Sequence, residues 1–440
     1  MNEYANALKE KLTSLIGEMS ANSSLYVKNP KTDFTRKRKF SFDDVVKLLI
    51  TMGGKSIYSE LLEAYRFDSN TATASALIQQ RAKILPEAFE FLLYEFTASC
   101  TNINTYQGYR LLAVDGSSLN IATDPTDTLT YFQTNPEVKG YNLMHLNALF
   151  DLCYNLYVDA VVQPSKLIGE DSALVSMVNR SRIEGKTIVV ADRGYESYNN
   201  FANIERKGWN YVIRVKDIDS QCSMLYGLKD RLPGDGEFDI RVQFSLTKKS
   251  TNYVKNNPHI YKRLSSTSTF DFLDLHENKY YPISFRVVRF MLPSGEYETV
   301  ITNLDQTLFS SHEIKFIYKM RWGIETSFRD LKHTVGLNYF HSRKREFIVQ
   351  EIFARLIMYN FAEMMTSHVI ISNADTKHDY QANFSIVVCV CKHFLRLHHS
   401  EPPPDVEALI RKNILPIRLN RSYPRKTRPK SAVSFVYRIA

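Results

Sequence analysis

Through the first hundred residues, apolar positions recur at intervals of three and four. Leu8, Leu12 and Ile16 mark one amphipathic helix, and Ser41-Phe42-Asp43-Asp44 reads as a capping box ahead of the run VVKLLITM. Shorter helices are expected around 56–66 and 72–84. From 109 the rhythm changes. YRLLAVDGSSLNI, LMHLNALFDL and NLYVDAVVQPS are rich in Val, Leu and Tyr, with turn residues between them, and predict three strands able to form a meander. EDSALVSMVNRSRIEG then predicts a helix, KTIVVADRGY a short buried strand, YNNFANIERKG a second helix and WNYVIRVK a fifth strand. A meander followed by alternating strands and helices predicts an α/β fold, a mixed sheet with helices on its faces.

Residues 217 to about 304 break that alternation. GEFDIRVQFSLT, KRLSSTSTFDFLDL, YYPISFRVVRFML and GEYETVITNL predict strands and no helix, so this segment reads as a mostly β insertion. Helical periodicity resumes at Ser311 and runs to about 371. Within it, FIVQEIFARLIMYNFAEMMTSHVII carries Glu351, Arg355, Asn360 and Glu363, which suits a buried helix and not a membrane span. A polar stretch at 372–382 and one more apolar run lead to RKNILPIRLNRSYPRKTRPK (411–430), which has no acidic residue. Two readings of that tail stand: a solvated flexible end, or an arm that contacts phosphates.

At 440 residues the chain exceeds what one hydrophobic core usually serves, so two to four domains are expected. The balance of 56 basic against 47 acidic residues, net +9, hints at a polyanionic partner. Another basic cluster, KTDFTRKRKF, precedes the capping box, and the helices around it could form a helix-turn-helix-like module or a structural lobe. Five scattered cysteines suit a reducing compartment without a disulfide framework, and VVCVCK reads as buried apolar packing, not half of a metal site. The N-terminus lacks the basic start and apolar core of a signal peptide. The expected location is the cytoplasm, with no membrane partner.

The chemistry is not that of a nucleotide motor or a zinc protease, because no P-loop, dinucleotide fingerprint, nucleophile elbow or H-E-x-x-H occurs. Two aspartates stand out instead. Asp115 ends the apolar run LLAV and precedes Gly-Ser, and Asp192 ends IVVA and precedes Arg-Gly-Tyr. A carboxylate at a buried strand's C-terminal end lies where α/β folds place their sites, and a following glycine admits close approach. Asp-Gly after a strand is also ordinary turn chemistry. A third acid belongs to YKMRWGIETSFRDLK (318–332). There Tyr318, Arg321, Glu325 and Lys332 fall within roughly 60° of one face of a continuous helix. Ile317, Met320, Ile324, Phe328, Leu331 and Val335 form a neighbouring core stripe. Glu325 could join the two aspartates around a pair of divalent metals, with Arg321 and Lys332 beside the phosphates. It could equally pair with Arg321 or Arg329 in an intrahelical ion pair worth a few tenths of a kcal/mol.

These residues resemble the IS4 family of bacterial insertion-sequence transposases. That family's signature is Tyr, two residues, Arg, three, Glu, six, Lys, as in Tyr318, Arg321, Glu325 and Lys332. AVDGS and VADRGY resemble its two aspartate regions, with intervals of 77 and 133 residues between successive acids. The resemblance implies an RNase H-like catalytic core with a β insertion, flanked by helical terminal regions. It divides the chain into a helical DNA-binding region (1–105), the first part of the core (106–216), the insertion (217–304), the signature helices (305–371) and a basic C-terminal region (372–440). It implies Asp115, Asp192 and Glu325 as metal ligands for two Mg²⁺ or Mn²⁺ ions, and Tyr318, Arg321 and Lys332 on DNA. The implied activity is cut-and-paste transposition: end cleavage by hydrolysis, then strand transfer by the 3′-hydroxyl. Implied partners are double-stranded DNA, as transposon ends with inverted repeats and as target, and a second copy of the chain on DNA. The implied setting is the bacterial cytoplasm, at the nucleoid when DNA is bound. In some relatives a tryptophan of the insertion stacks on a flipped base; here 217–304 has none, so either Tyr253, Tyr261, Phe270 or Phe272 substitutes or the insertion lacks that role. Two alternatives remain, a nuclease that cuts without joining and a catalytically silent DNA-binding descendant.

Overall fold

The computed structural model describes residues 2–99, 104–221, 223–274, 278–369, 379–397, 401–417 and 432–433. The chain opens with α1 (Glu3–Ala21), α2 (Phe42–Thr51), α3 (Ile57–Ala64), α4 (Ala74–Arg81) and α5 (Glu87–Ala98). Leu8, Leu12 and Ile16 form the buried stripe of α1. The capping box forms as expected: the Asp44 amide donates to the Ser41 hydroxyl, and the Ser41 amide donates to the Asp44 carboxylate. α5 lies within the region expected to be helical but has no separate periodic stretch in the sequence, because EAFEFLLYEFTA is apolar on more than one side; it buries Phe89, Leu92, Leu93 and Phe96. Between α1 and α2, Arg36, Lys37, Arg38 and Lys39 are all exposed.

The sheet begins with β1 (Arg110–Ile121), β2 (Tyr131–Phe132), β3 (Tyr141–Asp151) and β4 (Leu156–Pro164). Then come α6 (Glu170–Arg180), β5 (Thr187–Ala191), α7 (Tyr198–Arg206) and β6 (Asn210–Val215). β1, β3 and β4 pair antiparallel, while β5 lies parallel to β1 and β6 parallel to β5. The resulting order, β4-β3-β1-β5-β6, is the expected RNase H-like core. Its central strand β5 is buried along its whole length, as a parallel strand covered on both faces should be.

The segment after β6 contains β7 (Phe238–Thr247), α8 (Asn252–Asn256), β8 (Tyr261–Arg263), β9 (Tyr281–Met291) and β10 (Tyr297–Thr302). Two features differ from expectation. α8 is a single helical turn capped by the Thr251 hydroxyl, too short to leave a periodic signal. And these strands continue the core sheet: β10 pairs antiparallel with β6, and β9, β7 and β8 follow, giving ten strands. The buried Arg286 of β9 is matched by Asp239 of β7 and also donates to the carbonyls of Leu304 and Phe309 at 3.1 and 3.0 Å. That bonding fixes the turn that launches the next helices.

Those helices are α9 (Ser311–Met320), α10 (Trp322–Asp330) and α11 (Arg345–His368), with one wide π turn at Leu331–Val335. The short strand β11 (Tyr380–Ala382), α12 (Phe384–Arg396), α13 (Val406–Lys412) and β12 (Ile414–Pro416) follow, β11 pairing with β12. α11 is buried on nearly all sides, so Glu351, Arg355 and Asn360 lie inside the protein, as their helix's composition implied. In VVCVCK, Cys391 is buried but Cys389 is exposed. Most of the basic C-terminal run, 418–430, lies outside the described residues. No helix among the described residues is long and apolar enough to cross a membrane.

Strand alternation gives the sheet two cores. Leu111 and Ala113 of β1 pack with Ile317, Ile324 and Phe328 from α9 and α10, while Leu112 and Val114 pack with Leu174 and Phe201 from α6 and α7. By that parity Asp115 belongs to the face of α10, and Gly116 to the face of α6.

Candidate active site

Asp115 does not end its strand, as the sequence suggested, for β1 runs on to Ile121 in antiparallel pairing with β3. What ends there is the parallel neighbour. Val114 is the last β1 residue in register with β5, opposite Ala191, so Asp115 and Asp192 come next on adjacent strands. The apolar run stops because the covering strand stops. Each aspartate accepts a hydrogen bond from a nearby glycine amide, Gly116 to Asp115 and Gly194 to Asp192, both at 2.8 Å. Asp192 thereby caps the turn Arg193–Tyr195.

Glu325 approaches from α10. Gly323 lets this helix lie close to the sheet, since a β-carbon there would stand 2.9 Å from Leu152. Below it Ser327 shares a 2.8 Å hydrogen bond with the buried Tyr157 of β4, while Ile324 and Phe328 enter the core. Asp192 and Glu325 both push the Asp115 carboxyl upward. Its pKa rises from 3.8 to about 6, first through burial and then through those two negative charges, against the Gly116 amide and Arg321. The three acids therefore share one electrostatic site.

The helix carrying the remaining signature residues is not continuous. Arg321 occupies a tightened joint between α9 and α10, where its amide donates to Tyr318 and the Ile324 amide donates back to it, both across three residues at 3.1 Å. Lys332 sits in the π turn closed by Gly336 at φ 105°, and its ammonium donates to the Ser118 carbonyl of β1 at 3.1 Å. Tyr318 is not presented to solvent as the helical wheel implied. It is 7% exposed, with Arg321 5.6 Å from its ring centre, because α9 lays that side against the sheet. Arg321 itself pairs with Glu325 at 2.7 Å, so the intrahelical ion pair and the shared site both exist. Ile317, Ile324, Phe328, Leu331 and Val335 are buried as the core stripe predicted, and Met320 partly so.

Three carboxylates offer the oxygen donors that suit a hard divalent cation, and the negative charge crowded at Asp115 is of the kind such a cation would relieve. As the side chains stand, no group of three His, Cys, Asp or Glu among the described residues is gathered closely enough to hold a metal ion. Glu325 is instead engaged by Arg321. Nothing in the sequence pattern marks Glu170 or His145, yet both reach this end of the sheet; Glu170 reads as an ordinary first-turn acid of α6.

A family model described as the transposase DDE domain matches residues 106–361, more than half of the chain. The chain belongs to the DDE transposase family. It is a DNA transposase, a polynucleotidyl transferase with endonuclease chemistry that depends on divalent metal. No curated protein sequence matches it. Among solved structures, a piggyBac transposase synaptic complex with hairpin DNA is a remote likeness, with 7% identity and a TM-score of 0.46 over 95% of this chain and 86% of that one. Of the aromatic residues considered for base stacking, Phe270 is buried in the core of the transposase, whereas Tyr253 is 60% exposed. Trp209 is buried just before β6 and Trp322 is 63% exposed on α10, three residues before Glu325.

Proposed function

We propose that this transposase is of the IS4 type and performs cut-and-paste transposition through Asp115, Asp192 and Glu325 acting on Mg²⁺ or Mn²⁺, two ions per site. The observation that carries this reading is the placement of Asp115 and Asp192 side by side where the β1–β5 pairing ends, with Glu325 on α10 near enough to help raise the Asp115 pKa. When bound, such a cation pair lowers the pKa of an attacking water and takes up charge on the leaving oxygen. Asp115 and Asp192 offer fixed oxygens at the sheet, and Glu325 joins them once Arg321 lets go. Arg321 is then available for a phosphate beside the reacting bond, with Tyr318 backing its guanidinium. Lys332, held over β1 by Ser118, meets the DNA backbone. In the first step water replaces the flanking strand at phosphorus; in the second the freed 3′-hydroxyl displaces a target-strand oxygen. Each exchange makes one P–O bond for one broken, so no ATP is consumed.

Residues 1–105 would bind the transposon end, 106–216 and 305–371 would form the catalytic core around the 217–304 insertion, and 372–440 would add basic contacts. Two copies would pair two inverted-repeat ends of double-stranded DNA before insertion into target DNA, on the nucleoid of the bacterial cytoplasm. Exposure of the whole Arg36–Lys39 run supports the N-terminal contact. Replacing these four residues by Gln should cut the salt dependence of DNA binding by about three to four units of log K against log[salt], read by fluorescence anisotropy. Lys332→Ala should reduce it by about one unit while slowing joining. Purified protein incubated with Mg²⁺ and labelled DNA bearing the element's ends tests the activity. Joined products support the reading; cutting without joining identifies a nuclease, and binding without cutting a silent descendant.

A further inference from the structure

We propose that Glu170, positioned by His145, is a fourth carboxylate of the catalytic centre and a direct ligand of its divalent cation. The proposal rests on the assignment of Asp115 and Asp192 as metal ligands.

Glu170 is the first residue of α6, where an acid needs no explanation beyond the helix dipole. The direction of its side chain does. It folds back over the sheet into space left by two glycines that follow the two aspartates. A β-carbon on Gly116 would stand 2.8 Å from Glu170 Oε1, and one on Gly194 would stand 3.1 Å from Glu170 Oε2. The same Gly194 position lies 3.0 Å from Asp192 Oδ1, so oxygens of Glu170 and Asp192 flank one methyl-sized gap. On the α6 face of β1, Gly116 thus opens the route by which Glu170 reaches the level of Asp115.

His145 supplies an independent observation. Its ring, on β3, is 5% exposed, and neither nitrogen has a hydrogen-bond partner. Nε2 points into the same pocket, 2.5 Å from the Gly116 β-carbon position and 3.4 Å from Glu170 Oε1, too poorly aligned for a hydrogen bond. A buried imidazole that costs free energy while unpaired is poised to orient a neighbouring carboxylate when that carboxylate shifts toward a cation. The hydroxyl of Tyr195, also buried and without a partner, lies among the charges of Glu170, Asp115 and Asp192. Hard oxygen ligands from β1, the turn after β5 and α6 suit Mg²⁺ or Mn²⁺, which can draw the Glu170 and Asp192 oxygens together across the glycine gap.

Calorimetric titration of the full-length protein with Mn²⁺, without DNA, tests this apart from activity. Glu170→Gln should weaken Mn²⁺ binding about tenfold or more, and His145→Asn by a smaller factor, with circular dichroism unchanged in metal-free buffer. Glu170→Asp, which keeps the charge but retracts it by one methylene, should also weaken binding and covers the case in which Glu170→Gln folds poorly. Asp192→Asn is the reference. If Asp192→Asn weakens binding and both Glu170 variants bind as the natural protein does, the fourth-ligand proposal is overturned. If Asp192→Asn also leaves binding unchanged, the assignment of the aspartates fails first.

Discussion

Asp115→Asn is expected to abolish DNA cleavage and joining and, in EDTA at pH 7, to make the protein harder to unfold. The two effects have one cause. Asp115 is held among Asp192 and Glu325 in partial burial, so its folded pKa is about 6 against an ordinary value of 3.8. For an acid whose pKa is raised by folding, the native state binds the extra proton. Stability then falls as pH rises from about 4 to about 6, and the full cost is present above that window. With about 1.4 kcal/mol per unit, the ionised carboxylate costs on the order of 2 kcal/mol at pH 7 after allowance for its open edge. Asparagine keeps the shape and removes the charge. On the proposed assignment it also removes a metal ligand, and with it several kcal/mol of charge stabilisation in the transition state, a loss of about 10³-fold or more. Urea unfolding in EDTA and end-cleavage assays in Mg²⁺ measure the two effects. A destabilised Asp115→Asn protein in EDTA would mean that the acids do not repel one another as described.

The second large effect lies away from the site. Glu351, in the second turn of α11, is 1% exposed in its side chain and bonds Arg81 of α4 at 2.8 Å and His341 at 3.0 Å. Arg81 also reaches the Gln350 side chain, and Arg355 donates to the Gly53 carbonyl at 2.8 Å. Burial alone would raise the Glu351 pKa, but Arg81, His341 and Arg355 hold it well below the usual range. Removing Glu351 leaves the buried Arg81 guanidinium without its carboxylate, a loss of roughly 3–5 kcal/mol for Glu351→Ala. Because the folded pKa is depressed, this contribution is present above an ordinary glutamate pKa and fades as pH falls below it. The natural protein should therefore lose stability on acidification more steeply than Glu351→Ala. Urea midpoints at pH 7 and pH 4 check both statements; equal midpoints at pH 7 would show that the network does not tie α4 to α11.

The fold's core was legible because its strands and helices differ in apolar period, and the meander followed by alternation leaves few arrangements. Asp115 and Asp192 were legible as pattern breaks: each is the first polar residue after a buried run. The actual reason for the break at Asp115, the end of β5 beside it, is a fact about register that no single strand's sequence contains. Periodicity placed Glu325 beside a core stripe but assumed a regular helix. The joint at Arg321 and the π turn at Lys332 change the phase, and packing against the sheet buries Tyr318. The pairing of β10 with β6 was invisible for a similar reason, since alternation shows that a strand has two faces and not which strand lies at its edge. Glu170 and His145 are legible only once Gly116 and Gly194 are seen to leave room for them.

On the proposed function, Asp115, Asp192 and Glu325 surround one divalent-metal site. Replacing the natural ion with Fe²⁺ and generating hydroxyl radicals locally cuts the polypeptide wherever the backbone lies beside the bound ion. Cuts should cluster near residues 115, 192 and 325 together, all suppressed by excess Mg²⁺ and all lost in Asp192→Asn. Cuts near 115 and 192 with none near 325, in the presence of transposon-end DNA, would contradict it.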